Sequence, residues 1–163
     1  MNLKSLIDLI RQEQKIHEKV LLAKREEQRL IAVGDAALLL DNTQRLSDWI
    51  DQAASLEAQR RELVFALADE LKLERENPTL RDLLAALPPE NNAELESAGI
   101  HLRSLMEQVR QVNRINAGML QRALETITGE IAGMVQSQES GVYTRSGVKE
   151  RREAYRAGLN VRV

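Results

Sequence analysis

The nine residues "AVGDAALLL" (32–40) decide what this chain builds. Upstream of them, Leu3, Leu6, Ile7, Ile10, His17, Val20, Leu21 and Ile31 recur at helical spacing, with Gln14, Lys24 and Gln28 on or beside the stripe. Downstream, a second stripe runs through Leu39, Leu46, Trp49, Ile50, Ala53, Leu56, Leu63, Leu67 and Leu71 and predicts a helix from Ala36 to about Leu73. Between the two, Gly34 suits the left-handed residue that ends a helix and Asp35 suits the N-cap of the next. The same letters also permit one kinked rod. An antiparallel hairpin is the preferred expectation, because each long apolar stripe otherwise has nothing to cover it.

The stretch "ENPTLRDLLAALPPENN" (76–92) is the next connection. Pro78 and the Pro88–Pro89 pair bound a short helical turn, whose Leu80, Leu83, Leu84 and Leu87 need burial. Phe65, off the main seam of the second helix, is expected to cover them. Asn91 or Asn92 is expected to cap a third long helix, from Ala93 to about Val135. Helices of these lengths extend roughly 45–65 Å. The fold class expected is all-α: an elongated antiparallel bundle of three long helices, built as a coiled-coil-like hairpin plus a third helix, with a short connector helix. From Gln136 the apolar period stops. "SQESGVYTRSG" (137–147) reads as a linker, and "VKERREAYRAGL" (148–159) as a helix too short to be stable alone. Two parts follow, a helical bundle domain (1–137) and a flexible basic C-terminal tail (138–163).

Composition excludes several classes of function. With no cysteine there is no disulfide and no thiolate metal site, which suits a reducing compartment. No apolar run approaches the roughly 20 residues of a membrane span, and "MNLKSLIDLIRQEQ" (1–14) meets charge too early for an export signal. Net charge is −2, although residues 138–163 carry six basic and three acidic side chains. "KERREAYR" (149–156) dilutes its basic residues with glutamate, and the chain has only four aromatic residues, so no nucleic-acid partner is expected. His17 and His101 lie in different helices and in no metal-binding motif; His17 is expected on the stripe with a polar partner, His101 on a solvated flank. There is no phosphate-cradling glycine loop and no Gly-x-Ser-x-Gly elbow. Glu57, Arg60 and Arg61 form the densest charged group and read as structural ion pairs. The expectation is no catalytic residue, no enzyme, no cofactor, no metal and no stable membrane insertion.

The informative part is late in the third helix, "NAGMLQRALETITGEIAGMV" (116–135). Gly118, Gly129 and Gly133 sit inside a helical pattern, each costing about 1 kcal/mol relative to alanine. Met119 and Met134 are adaptable apolar side chains. A helix loosened in this way and apolar on one side can dock another helix, or its glycines can serve close packing within the bundle. Just upstream, "VNRINAGML" (112–120) belongs to a stripe of Val109, Val112, Asn113, Asn116, Met119, Leu120 and Ala123. Either that stripe is not core there, or two amides are wanted inside a packed layer.

Taken in order, these segments resemble the FlgN family of flagellar type III export chaperones. The resemblance rests on "AVGDAALLL" (32–40), "LEAQRREL" (56–63), "PTLRDLLAALP" (78–88), "NRINAGMLQRAL" (113–124) and "VYTRSG" (142–147), within a span of about residues 15–147. It implies a cytoplasmic helical protein without catalysis. Its partners would be the C-terminal helical segments of hook–filament junction proteins of the FlgK and FlgL type, kept unpolymerised and delivered to the flagellar export apparatus. Asn113 and Asn116 match the family's Asn-x-x-Asn pattern and are expected to form a structural polar layer that fixes register between long helices. Met119, Leu120, Ile127, Ile131 and Met134 are expected to bind the client. Tyr143 is assigned by resemblance to export-gate docking. The alternatives are a structural coiled-coil protein that oligomerises through its helices, and a chaperone for another flagellar client.

Overall fold

The computed structural model describes residues 3–88 and 92–140, and for residues 136–140 the backbone alone. Its elements are four helices, α1 (Leu3–Val33), α2 (Ala36–Glu70), α3 (Leu80–Ala86) and α4 (Ala93–Ser140), with no strand among the described residues. By compactness the chain divides into Met1–Gln121 and Arg122–Val163, and α4 contributes to both units.

In the first unit the break at Gly34 is a chain reversal. Gly34 has φ 73°, which puts its carbonyl and amide where the end of α1 needs them. Its N–H donates to the Ile31 carbonyl at 3.3 Å, and the Asp35 N–H donates to the Leu30 carbonyl at 3.2 Å. These two bonds close a Schellman motif. The Asp35 carboxylate then accepts from the Leu38 N–H at 3.0 Å and caps α2. The rod is excluded by the cross-contacts: Asn42 Nδ2 donates to the Ala23 carbonyl, and Arg60 Nε donates to Glu13 Oε2. One residue number rises as the other falls, so α1 and α2 are antiparallel. With α4 both numbers rise together. Arg11 pairs with Glu94, Gln14 with the Ala98 carbonyl, and the Lys24 carbonyl with Asn116. The antiparallel relation therefore holds for consecutive long helices, while α1 and α4 run parallel.

The main core lies where α1 begins, α2 ends and α4 begins. Leu6, Ile7 and Ile10 of α1 meet Val64, Leu67 and Ala68 of α2 and Leu95, Ala98 and Leu102 of α4. Leu83 and Leu87 enter the same cluster from α3 and its C-cap, so the short helix plugs the open end of the three-helix contact. Leu80 approaches α4 so closely that a Cβ on Gly99 would lie 2.7 Å from its Cδ2. Phe65 is not the expected cover; it remains 46% exposed, because the connector leucines turn into the seam instead of onto the flank of α2. A second, smaller cluster of Val20, Ala23 and Leu46, with Ile16, Trp49 and Val109 against it, lies further along the hairpin.

Local chemistry explains the ends of α2, α3 and α4. The α2 helix stops at Glu70, short of the expected Leu73. Lys72 adopts φ 54°, and the bonds Lys72 N–H to Asp69 O and Leu73 N–H to Ala68 O build a second Schellman motif without a glycine. Thr79 and Asp82 form a capping box at α3: the Thr79 N–H and hydroxyl both donate to Asp82 Oδ2, and the Asp82 N–H donates to Thr79 Oγ1. Asn92 stands at the expected cap position of α4, its carbonyl accepting from the Glu96 N–H at 2.8 Å, but its side chain is used differently. Its amide donates to the Leu84 and Leu87 carbonyls, closing the carbonyl end of α3. The α4 helix continues through Gln136 to Ser140, past the expected end at Val135. Gln, Ser and Glu support a helix that is already propagating, whether or not an apolar stripe continues. Asn91, the remainder of the expected linker and the tail helix at 148–159 lie outside the described residues.

Two Schellman motifs, one with Gly and one with Lys at the left-handed position, give opposite expectations. Gly34→Ala should lower stability by about 1 kcal/mol, and Lys72→Gly should raise it by up to about the same amount, measured by urea unfolding. A further expectation concerns Asp82, whose carboxyl is held below its usual range first by the Thr79 side-chain hydrogen bond, then by the Thr79 backbone N–H. The capping box therefore contributes above the ordinary carboxylate pKa and is lost as pH falls through the lowered value. In Thr79→Ala, an NMR titration should find the Asp82 pKa moved upward; an unchanged value would show that the hydroxyl does not hold it.

Candidate functional site

Among the described residues of the first unit, five polar or charged ones are buried: Glu13, Gln14, Glu27, Asn42 and Asn116. Gln14 lies beside the seam of α1, and the positions of the other four follow one rule. Along α1, Leu6, Ile10, Glu13, His17, Val20, Lys24, Glu27 and Ile31 alternate steps of four and three, the spacing of a coiled-coil seam. Glu13 and Glu27 occupy seam positions that the apolar pattern skips. Asn42 and Arg60 fall on the equivalent series of α2, and Asn116 on that of α4. Residues that look like gaps in a stripe are thus carried into the interior by the same periodicity that carries the leucines.

Each has a specific partner. Glu13 is fully buried and accepts from Arg60 Nε at 2.7 Å, while Gln14 Nε2 donates to the Ala98 carbonyl at 2.8 Å. Arg61, by contrast, makes the local exposed pair with Glu57. Asn116 is 2% exposed, and its Nδ2 donates to the Lys24 carbonyl at 2.8 Å and to Glu27 Oε2 at 2.7 Å. Lys24 Nζ donates to the same Glu27 oxygen at 2.9 Å. Asn113 does not join this layer. It is exposed, because the seam steps from Val112 to Asn116 and leaves position 113 on the flank. His17 is part-buried with Nδ1 on the Glu13 carbonyl, and His101 is exposed.

The remaining expected site residues are apolar and on α4. Met119 is half-buried and Leu120 is exposed, both in the first unit. In the second unit every residue from Arg122 to Val135 is exposed. Ile127 is 53%, Ile131 56% and Met134 66% exposed. Leu124, not among the residues expected from sequence, is 61% exposed and belongs with them. Steps of three, four and three from Leu124 to Ile127, Ile131 and Met134 place all of them on one face. A Cβ added to Gly118, Gly129 or Gly133 would meet no described atom within 4 Å, so no packing among the described residues calls for a glycine there. Tyr143 lies outside the described residues.

The chemistry available here is association. Among the described residues no group of three or more His, Cys, Asp or Glu side chains is placed to hold a metal, and no helix is long and apolar enough to cross a membrane. What α4 offers is a row of branched and flexible apolar side chains on a helix, the form of surface that receives a second amphipathic helix.

The sequence matches the profile described as "FlgN protein" over residues 1–151, nearly the whole chain. The chain belongs to the FlgN family, a family of flagellar export chaperones that bind flagellar hook-associated proteins. No curated protein and no solved structure matches it.

The buried pair between α1 and α2 makes a sharp expectation. Arg60→Met alone should cost about 3–5 kcal/mol, because it leaves the Glu13 carboxylate buried without its partner. The double substitution Glu13→Leu with Arg60→Met should recover most of that loss in the same unfolding assay.

Proposed function

We propose that the protein is a cytoplasmic chaperone for hook–filament junction proteins of the FlgK and FlgL type. It would hold their C-terminal helical segments on α4 and deliver them unpolymerised to the export gate. The observation that carries this reading is the exposed apolar face of Leu124, Ile127, Ile131 and Met134. A family whose members bind hook-associated proteins needs an apolar surface left open for them, and this segment of α4 has one. Burial of side chains of this size contributes about 1.5–3 kcal/mol each, so a few of them suffice for a specific complex. The proposed client contacts are Met119 and Leu120 in the first unit and Leu124, Ile127, Ile131 and Met134 in the second. Residues 138–163, of which 138–140 continue α4, are proposed to lie over or beside the client, and Tyr143 to engage the gate.

The alternation of four and three is also coiled-coil spacing, which keeps self-association in view as a second reading. The two separate in one experiment. Calorimetry with a purified FlgK-type junction protein should give binding that Ile127→Glu with Ile131→Glu weakens at least about a hundred-fold. The thermal transition of the variant should stay where it was, since both side chains are exposed. If the substitutions instead abolish a concentration-dependent increase in mass and leave client binding intact, the face is a self-association surface. Tyr143→Ala should leave binding unchanged and reduce secretion of the client.

A further inference from the structure

Among the described residues nothing packs against Gly129 or Gly133, and the face they occupy excludes them from the docking surface as well. At about 100° per residue, a position two residues from another lies about 160° away around the helix. Gly129 stands in that relation to both Ile127 and Ile131, and Gly133 to Ile131. A helix seated on the apolar face would meet neither glycine. Nor does any described residue on the opposite face require them, because no described atom lies within 4 Å of a Cβ built at either position. What remains is their effect on α4 itself. Every described side chain from Arg122 to Val135 is exposed, so this segment draws little stability from burial and depends on helix propensity. Glycine weakens such a helix more than any residue except proline.

We propose that Gly129 and Gly133 hold the client-binding segment of α4 at marginal helical stability, and thereby set how tightly and for how long a client is retained. The inference rests on the docking face proposed above. Ordering of residues 122–135 is then coupled to occupancy: part of the interaction energy is spent forming the helix, and affinity falls by the fraction of free chains in which the helix is absent. A chaperone must release its cargo, and a binding element that loosens by itself shortens the lifetime of the complex. The apolar row provides recognition. The two glycines behind it provide release.

The test uses the full chain and the C-terminal helical segment of a FlgK-type junction protein as the probe. Gly129→Ala and Gly133→Ala should raise the helical circular dichroism of the free chain and slow amide exchange across residues 122–135. In calorimetry each should tighten binding by up to about five-fold, and both together by up to about 25-fold, with slower dissociation carrying most of the gain. Ala132→Gly should act in the opposite sense. Unchanged exchange in the free alanine variants overturns the proposal whatever the client does. Weakened binding overturns it too, by showing that the client touches the glycine face. Ile131→Glu is measured in the same titration. If it abolishes binding while the alanine variants bind like the parent, the docking face stands and the role of the glycines is wrong. If Ile131→Glu binds at full affinity, the docking face itself is wrong, and affinity has no reason to follow the glycines.

Discussion

The arrangement of the first unit depends on a demand made by a few buried polar groups: that each meets its partner at one axial position and no other. A seam of leucine, isoleucine and alanine repeats every seven residues, so sliding one helix by a heptad changes its apolar contacts little. Glu13 against Arg60, Gln14 against the Ala98 carbonyl and Asn116 against Glu27 and the Lys24 carbonyl remove that freedom. A heptad slip would separate the Glu13 carboxylate from its guanidinium inside an apolar seam, at a cost of several kcal/mol. Apolar burial stabilises the contact between these helices, and polar pairing selects its register.

These pins lie between and beyond the apolar clusters. The plugged end holds the larger cluster, Glu13, Gln14 and Arg60 follow, then the Val20–Leu46 cluster, then the layer of Lys24, Glu27 and Asn116. The amide of Asn42 on the Ala23 carbonyl adds a fourth fixed point, the second between α1 and α2.

Much of this was legible in the residues before any coordinate. Gly34 and Asp35 announced a break with a cap, and Pro78 and the Pro88–Pro89 pair bounded the short helix, because turn and cap chemistry acts over a few residues. The paired long stripes implied a hairpin. What escaped was non-local. Arg60 lies beside Glu57 and Arg61 in sequence, yet its partner is Glu13 on another helix. Asn113 and Asn116 look alike in the pattern, but only a strict alternation of four and three tells the buried one from the exposed one. That alternation was also the available signal for Glu13, Glu27 and Asn42, and for Leu124 on the outer face. Asn92 carries the letters of an N-cap and serves the preceding helix, a choice made by which carbonyls come within reach of its amide. Phe65 stayed exposed because the position of α3 was decided by a core that three other helices had to complete.

The parallel pairing of α1 with α4 has a consequence in time. The hairpin contacts form between residues separated by the short turn at Gly34, whereas Gln14 waits for Ala98 and Glu27 for Asn116, separations of 84 and 89 residues. During synthesis from the N-terminus, the α1–α2 hairpin is complete in sequence well before α4 emerges. The smaller cluster around Val20, Ala23 and Leu46 can close at that stage, since two of its helices are already present. The larger one cannot, because it needs Leu83 and Leu95. For that interval Leu6, Ile7 and Ile10 have only Val64, Leu67 and Ala68 of α2 to meet, and the nascent hairpin is itself a chain with a partly uncovered apolar stripe. The late arrival of α4 covers that stripe, so the helix proposed to shelter a client's apolar segment first shelters the hairpin's own.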